Sequence, residues 1–157
     1  MKKLGFIILL LLPGLVEGQS KVMRDLADDF PDAFVLMIYH SSLNMLNVDD
    51  DPDFARMIRD IEKIKVLRVD KEEDNFTTEA LSELKETLDD RGFEKLMTVK
   101  SKDYDIGVYI NEDDGEIEGY FLLMDEDENF TAIDVLGSMA VGDISQLVDK
   151  IKDVNEF

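Results

Sequence analysis

The sequence has no cysteine, no tryptophan, three prolines, one histidine, and fewer than half as many basic residues as acidic ones. Without cysteine there is no disulfide, no thiol nucleophile, and no cysteine-held zinc or iron–sulfur centre. One histidine leaves no second imidazole to complete a zinc site. The lack of tryptophan removes the usual platform for stacking sugars. Lys and Arg number 17 against 37 Asp and Glu, a formal charge of −20. That charge repels phosphate backbones and anionic lipid, so neither nucleic acid nor a membrane surface is an expected partner. Glycine-rich phosphate cradles are also missing, since Gly137 and Gly142 stand alone with no Lys-Ser/Thr after them.

What is there suits a folded chain. The 157 residues are 45% hydrophobic, which argues against wholesale disorder and fits one domain. The start carries an export signal. Lys2 and Lys3 make a positive n-region, residues 4–12 (LGFIILLLL) a short apolar core, and Pro13 and Gly14 a break. Val16 and Gly18 then occupy the −3 and −1 positions of a signal-peptidase site, with cleavage expected between Gly18 and Gln19. The apolar run is far short of the roughly 20 residues needed to span a bilayer. No cysteine follows it, so a lipoprotein is not expected. Residues 1–18 are thus read as a signal peptide and 19–157 as one domain. Losing Lys2, Lys3 and Glu17 takes the charge from −20 to −21. An exported domain without disulfides suits a bacterial periplasm or exterior.

Apolar periodicity places four amphipathic helices. Val22, Met23, Leu26 and Phe30 suggest one ending at Pro31. Phe54, Met57, Ile58 and Ile61 suggest a second, with Asp51 as N-cap and Pro52 at its first position. Ala80, Leu81, Leu84 and Leu88 mark a third from Thr77, closed by Gly92. Ile144, Leu147, Val148 and Ile151 mark the last. Strands are expected over 33–39, 63–69, 93–100, 106–110, 117–124 and 130–136, with a turn at Asp113-Asp114-Gly115. The order is α-β-α-β-α-β-β-β-β-α. The fold class is α+β, a mostly antiparallel sheet of five to six strands packed with four helices. The runs AFVLMIY and GYFLLM are apolar on both faces, so both strands are expected to be central and covered on both sides. That cover comes either from helices on each face or from a second subunit in a homodimer.

Four acidic stretches, 49–53, 70–74, 112–118 and 125–128, hold 17 of the 37 acids. Such clusters suit a hard cation, and calcium is the one to consider. Aligning Gly115 with the glycine of an EF-hand loop puts Ile110 and Phe121 where oxygen ligands belong, so that motif fails. Asp113, Asp114 and Glu116, or Asp125 and Asp127, are the remaining metal candidates. The bland reading is a solvated turn that keeps the sheet from pairing with other chains.

His40 ends the first strand beside Ser41 and Ser42, but neighbours on a strand point to opposite faces and no G-x-S-x-G elbow presents a serine. A strand-end or capping role is expected. Arg56, Arg59, Lys63, Lys65 and Arg68 are expected to pair with internal carboxylates. Asn75 and Asn129 open N-glycosylation sequons, which a bacterial source leaves unused. The seven methionines after residue 19 look like core filling. Carboxylate chemistry of the glycosidase kind is unreadable where acids are this abundant.

Taken together, VLMIYHSSLNML, IKVLRVD, DDRGFEKLMTVKSKD and EGYFLLMDEDENFTAIDVLGSMAVGDISQLV resemble the bacterial DUF4252 family, a domain of unknown function. The resemblance covers essentially residues 19–157. It implies a source among the Bacteroidetes and an envelope location, and it brings no catalytic residues. The expected function is that of an exported, non-enzymatic envelope protein acting through contacts with another envelope protein. No cofactor is expected. A small-ligand or calcium binder is the alternative, and a carboxylate hydrolase the third reading.

Overall fold

The computed structural model describes residues 21–47 and 49–154. The signal segment and the Gly18/Gln19 cleavage site lie outside the described residues. From Lys21 on, the apolar stripe of α1 (Lys21–Asp29) buries Val22, Met23 and Leu26. The chain then enters β1 (Phe34–Tyr39) and a one-turn helix α2 (His40–Leu43), which continues as a 3-10 turn over Asn44–Leu46. In α3 (Pro52–Ile58), Asp51 accepts a hydrogen bond from the Asp53 amide at 2.9 Å, and Pro52 sits where no amide is needed.

The second expected helix ends sooner than its spacing suggested. Ile61 opens β2 (Ile61–Asp70) rather than closing the helix. Helix and strand bury into the same core, so Ile61 keeps the i+7 position while the backbone has changed geometry.

Thr77 caps α4 (Thr78–Asp90) through the Ala80 amide at 3.2 Å. Its other end is a Schellman closure: the Phe93 amide donates to the Leu88 carbonyl and the Gly92 amide to that of Asp89, both at 3.0 Å. Four strands follow as a meander: β3 (Glu94–Lys100), β4 (Tyr104–Asp113), β5 (Glu116–Glu126) and β6 (Asn129–Gly137). Asp114 (φ 50°) and Gly115 (φ 83°) make the two-residue turn between β4 and β5, the primed type whose twist matches its strands. Helix α5 (Ile144–Val154) is the last described element.

The six strands form one sheet in the order β1-β2-β6-β5-β4-β3, and every pairing is antiparallel. The fold is α+β as expected, with α2 as a fifth, short helix. The other four divide between the faces. Against one face, α3 and α5 bury Phe54, Met57, Ile58, Leu147 and Ile151 with Ile64, Val66, Val108, Leu122 and Val135. Against the other, α1 and α4 bury Met23, Leu26, Leu84 and Leu88 with Leu67, Val69, Tyr109, Phe121 and Phe130. Phe76 stacks on Phe130 with ring centroids 4.3 Å apart, tying the loop before α4 to the sheet.

Strand β5 is central and buried on both faces, as its unbroken apolar run requires. Strand β1 corrects the parallel expectation. It is an edge strand, with Phe34, Val35, Met37 and Tyr39 exposed. The helices above and below the sheet cover its middle strands, and one side of β1 lies beyond them.

Candidate functional site

Strand β1 is the most exposed apolar element among the described residues, and its geometry follows from its register. Leu36 and Ile38 pair with Val66 and Ile64 of β2 and turn inward to the core under α3 and α5. Val35, Met37 and Tyr39 pair with Leu67, Lys65 and Lys63 and stand on the opposite face, 42%, 45% and 53% exposed. The outer edge of β1 has no strand beside it among the described residues, so half its backbone donors and acceptors face outward.

The two edges of the sheet are built differently. β3 carries Glu94, Lys95 and Lys100 and a register irregularity between Lys95 and Met97, both of which discourage another strand from pairing there. β1, reading FVLMIY, has no charged residue, no proline and no bulge. It is the only one of the six strands without a charge.

Two cations of β2 stand beside this apolar strip: Lys63 opposite Tyr39 and Lys65 opposite Met37, whereas Arg68, opposite Phe34, stands on the other face. Lys65 is buried, and that burial holds its ammonium below the usual lysine range of 10.5. Asp134 on β6, its other cross-strand neighbour, offsets part of the shift. Lys63 and Arg24 add to the lowering, while Asp28 opposes it.

The acidic candidates fall elsewhere and do not converge. Asp113, Asp114 and Glu116 belong to the β4–β5 hairpin, whereas Asp125 and Asp127 lie at the opposite end of β5. Asp125 is engaged by Lys71 at 2.6 Å. No group of three or more histidine or carboxylate side chains that could hold a metal ion occurs among the described residues.

His40 opens α2 rather than ending the strand, and its Nδ1–H donates to the Ile61 carbonyl at 2.7 Å. It therefore clamps the exit of β1 to the start of β2. Arg56 pairs with Asp53 at 3.0 Å and Arg59 with Asp60 at 3.9 Å, both in solvent. Asn75 takes a positive φ of 54° before α4, and Asn129 opens β6. The methionines are not all core filling: Met45 is 78% exposed and Met37 belongs to the open strip.

The sequence does not announce the β1 strip, because FVLMIY looks the same whether its faces are covered or bare. No helix among the described residues is long and apolar enough to cross a membrane. The family model described as DUF4252, a domain of unknown function, matches residues 29–147. No curated protein and no solved structure matches the chain.

Proposed function

The chain belongs to the DUF4252 family, a domain of unknown function, and from that premise we propose an exported, non-enzymatic envelope protein that acts through protein contacts made by β1. The observation that carries this reading is the contrast between the sheet's two edges. One is guarded by charge and a bulge; the other is uncharged, regular and apolar. An uncharged open edge recruits a further strand, with main-chain hydrogen bonds supplying affinity and alternate side chains supplying selectivity. The amino-terminal Lys-Lys, apolar core and small residues before Gln19 support export.

The partner is an extended segment of an unlike envelope protein, apolar at alternate positions and acidic at one end. Val35, Met37 and Tyr39 offer it an apolar ladder, and Lys63, opposite Tyr39, offers that end opposite charge. A second copy is disfavoured by self-repulsion at −20.

The chain's lack of cysteine allows a clean test. A cysteine-directed crosslinker at Met37→Cys in envelope extract captures a discrete partner, and one at Leu96→Cys on the guarded edge does not. Adding Val35→Lys abolishes capture, while the urea melt moves by no more than about 0.5 kcal/mol because the site is exposed. Equal capture from both edges would sink the assignment. A β1-linked homodimer in light scattering would replace the unlike partner with a second copy.

A further inference from the structure

At the opposite edge of the sheet from β1, one buried hydroxyl has no partner. Tyr109 is 1% exposed, and its Oη is the one buried side-chain polar atom without a hydrogen bond among the described residues. Tyr120 shows the ordinary arrangement, its hydroxyl donating to the Met139 carbonyl at 2.6 Å. Packing does not require the oxygen of Tyr109. Its ring lies over Gly107, where an added Cβ would come within 3.1 Å of Tyr109 Cε2 and 3.6 Å of Oη. A phenylalanine would cover Gly107 as well without burying a hydroxyl, so the oxygen is unexplained by the core.

Tyr109 and Gly107 line a cavity of about 230 Å³ between α4 and the β3–β4 edge. Three lysines stand around it: Lys85 from α4, and Lys95 and Lys100 from β3. Thr98, paired with Gly107, adds a hydroxyl. Two carboxylates share the lining, and both already face cations: Asp125 meets Lys71 at 2.6 Å, and Asp105 meets Lys100 at 3.6 Å. Lys95 holds its Nζ 5.4 Å from the Tyr109 ring centroid. Neither Lys95 nor Lys85 has an ion-pair partner among the described residues. A chain of charge −20 thus gathers surplus positive charge around one buried phenol.

We propose that this cavity binds a small oxyanion of the phosphate or carboxylate class. The hydroxyl of Tyr109 donates to an anion oxygen, and Lys85 and Lys95 supply the opposing charge. Both lysines are exposed at the rim, so their flexible stems move aside as the anion reaches the phenol. The size fits an ion or small acid, since drug-sized ligands occupy clefts of roughly 300–1,000 Å³. This site is independent of the β1 reading.

The test titrates the purified protein with sodium phosphate and, separately, sodium succinate, each against sodium chloride at equal ionic strength. Melting temperature and amide NMR shifts are recorded. The expected result is a saturable rise in melting temperature with either oxyanion, with shifts centred on Thr98 and Gly107. Affinity falls about tenfold or more in Tyr109→Phe and in the double variant Lys85→Met, Lys95→Met. Tyr109→Phe on its own melts no lower than the parent, because it removes an unpaired buried oxygen. Which of the two anions saturates assigns the phosphoryl or the carboxyl class. No saturable response to either, or one unchanged in Tyr109→Phe, overturns the proposal.

Discussion

Met37 and Lys65 face each other across the β1–β2 ladder with their burial inverted: the methionine is 45% exposed and the lysine 8%. Two residues side by side in one sheet therefore sit on opposite sides of a solvent boundary. Lys65, one strand further in, is close enough to α1 to feel Arg24 and Asp28, whereas Met37 stands in water. The boundary runs between β1 and β2, and it is what leaves the apolar strip open.

Lys65 makes that boundary titratable. Burial, its largest influence, lowers its folded pKa below 10.5, while the unfolded chain keeps the ordinary value. Between the two, the unfolded state holds more protons, so stability rises with pH through that window. Below it the charged lysine is a standing cost. Urea melts from neutral pH to about pH 10 should show the parent gaining on Lys65→Met, which has nothing to titrate there. Parallel curves for the two proteins would remove Lys65 as the cause.

Helix starts give a second, smaller expectation. Thr77→Ala removes the oxygen that accepts from the Ala80 amide, and Asp51→Ala the one that accepts from Asp53. Each should lower stability by about 1 kcal/mol. The two caps start helices on opposite faces of the sheet, so the double variant should lose the sum. Chemical denaturation of the four proteins in the cycle checks both size and additivity.

A third expectation concerns Gly119 on β5, which pairs with Leu136 of β6. A Cβ there would lie 2.5 Å from the Val135 carbonyl oxygen, and backbone cannot move aside as a side-chain tip can. Gly119→Ala should cost about 1–3 kcal/mol as overpacking in a strand with core on both faces. Gly142→Ala, with open space around it, serves as the control and should be near neutral. Thermal melts separate them.

Most of the architecture was legible because each element declares itself locally. Asp51-Pro52 starts a helix, Gly92 ends one, and Asp114-Gly115 turns a hairpin, each for reasons confined to a few residues. The site was less legible for a physical reason. A run such as FVLMIY states that both faces of a strand are apolar, but not what lies on them. In β5 the covering is helices; on the open side of β1 it is solvent. The strand-end role of His40 was legible but its partner was not, since the Ile61 carbonyl is a distant backbone atom with no sequence signature. Tyr109 and Gly107 are two apart on β4, a spacing that announces a shared face and nothing of the lysines that β3 and α4 bring to it.

The join between β2 and β6 has a consequence in time. The meander from β3 to β6 can assemble from neighbouring segments, as can β1 with β2. The sheet becomes one piece only when Asp70 finds Asn129 and Ile61 finds Gly137. Contacts between such distant stretches must absorb the entropy of closing a long loop before they return any stability, which slows folding. Until that seam closes, β2 is itself an edge, with Val66, Leu67 and Val69 bare beside an already uncharged β1. A chain in which that seam is still open therefore exposes more apolar edge than the folded one. The acidic loops between its strands supply the repulsion that keeps copies apart during that interval.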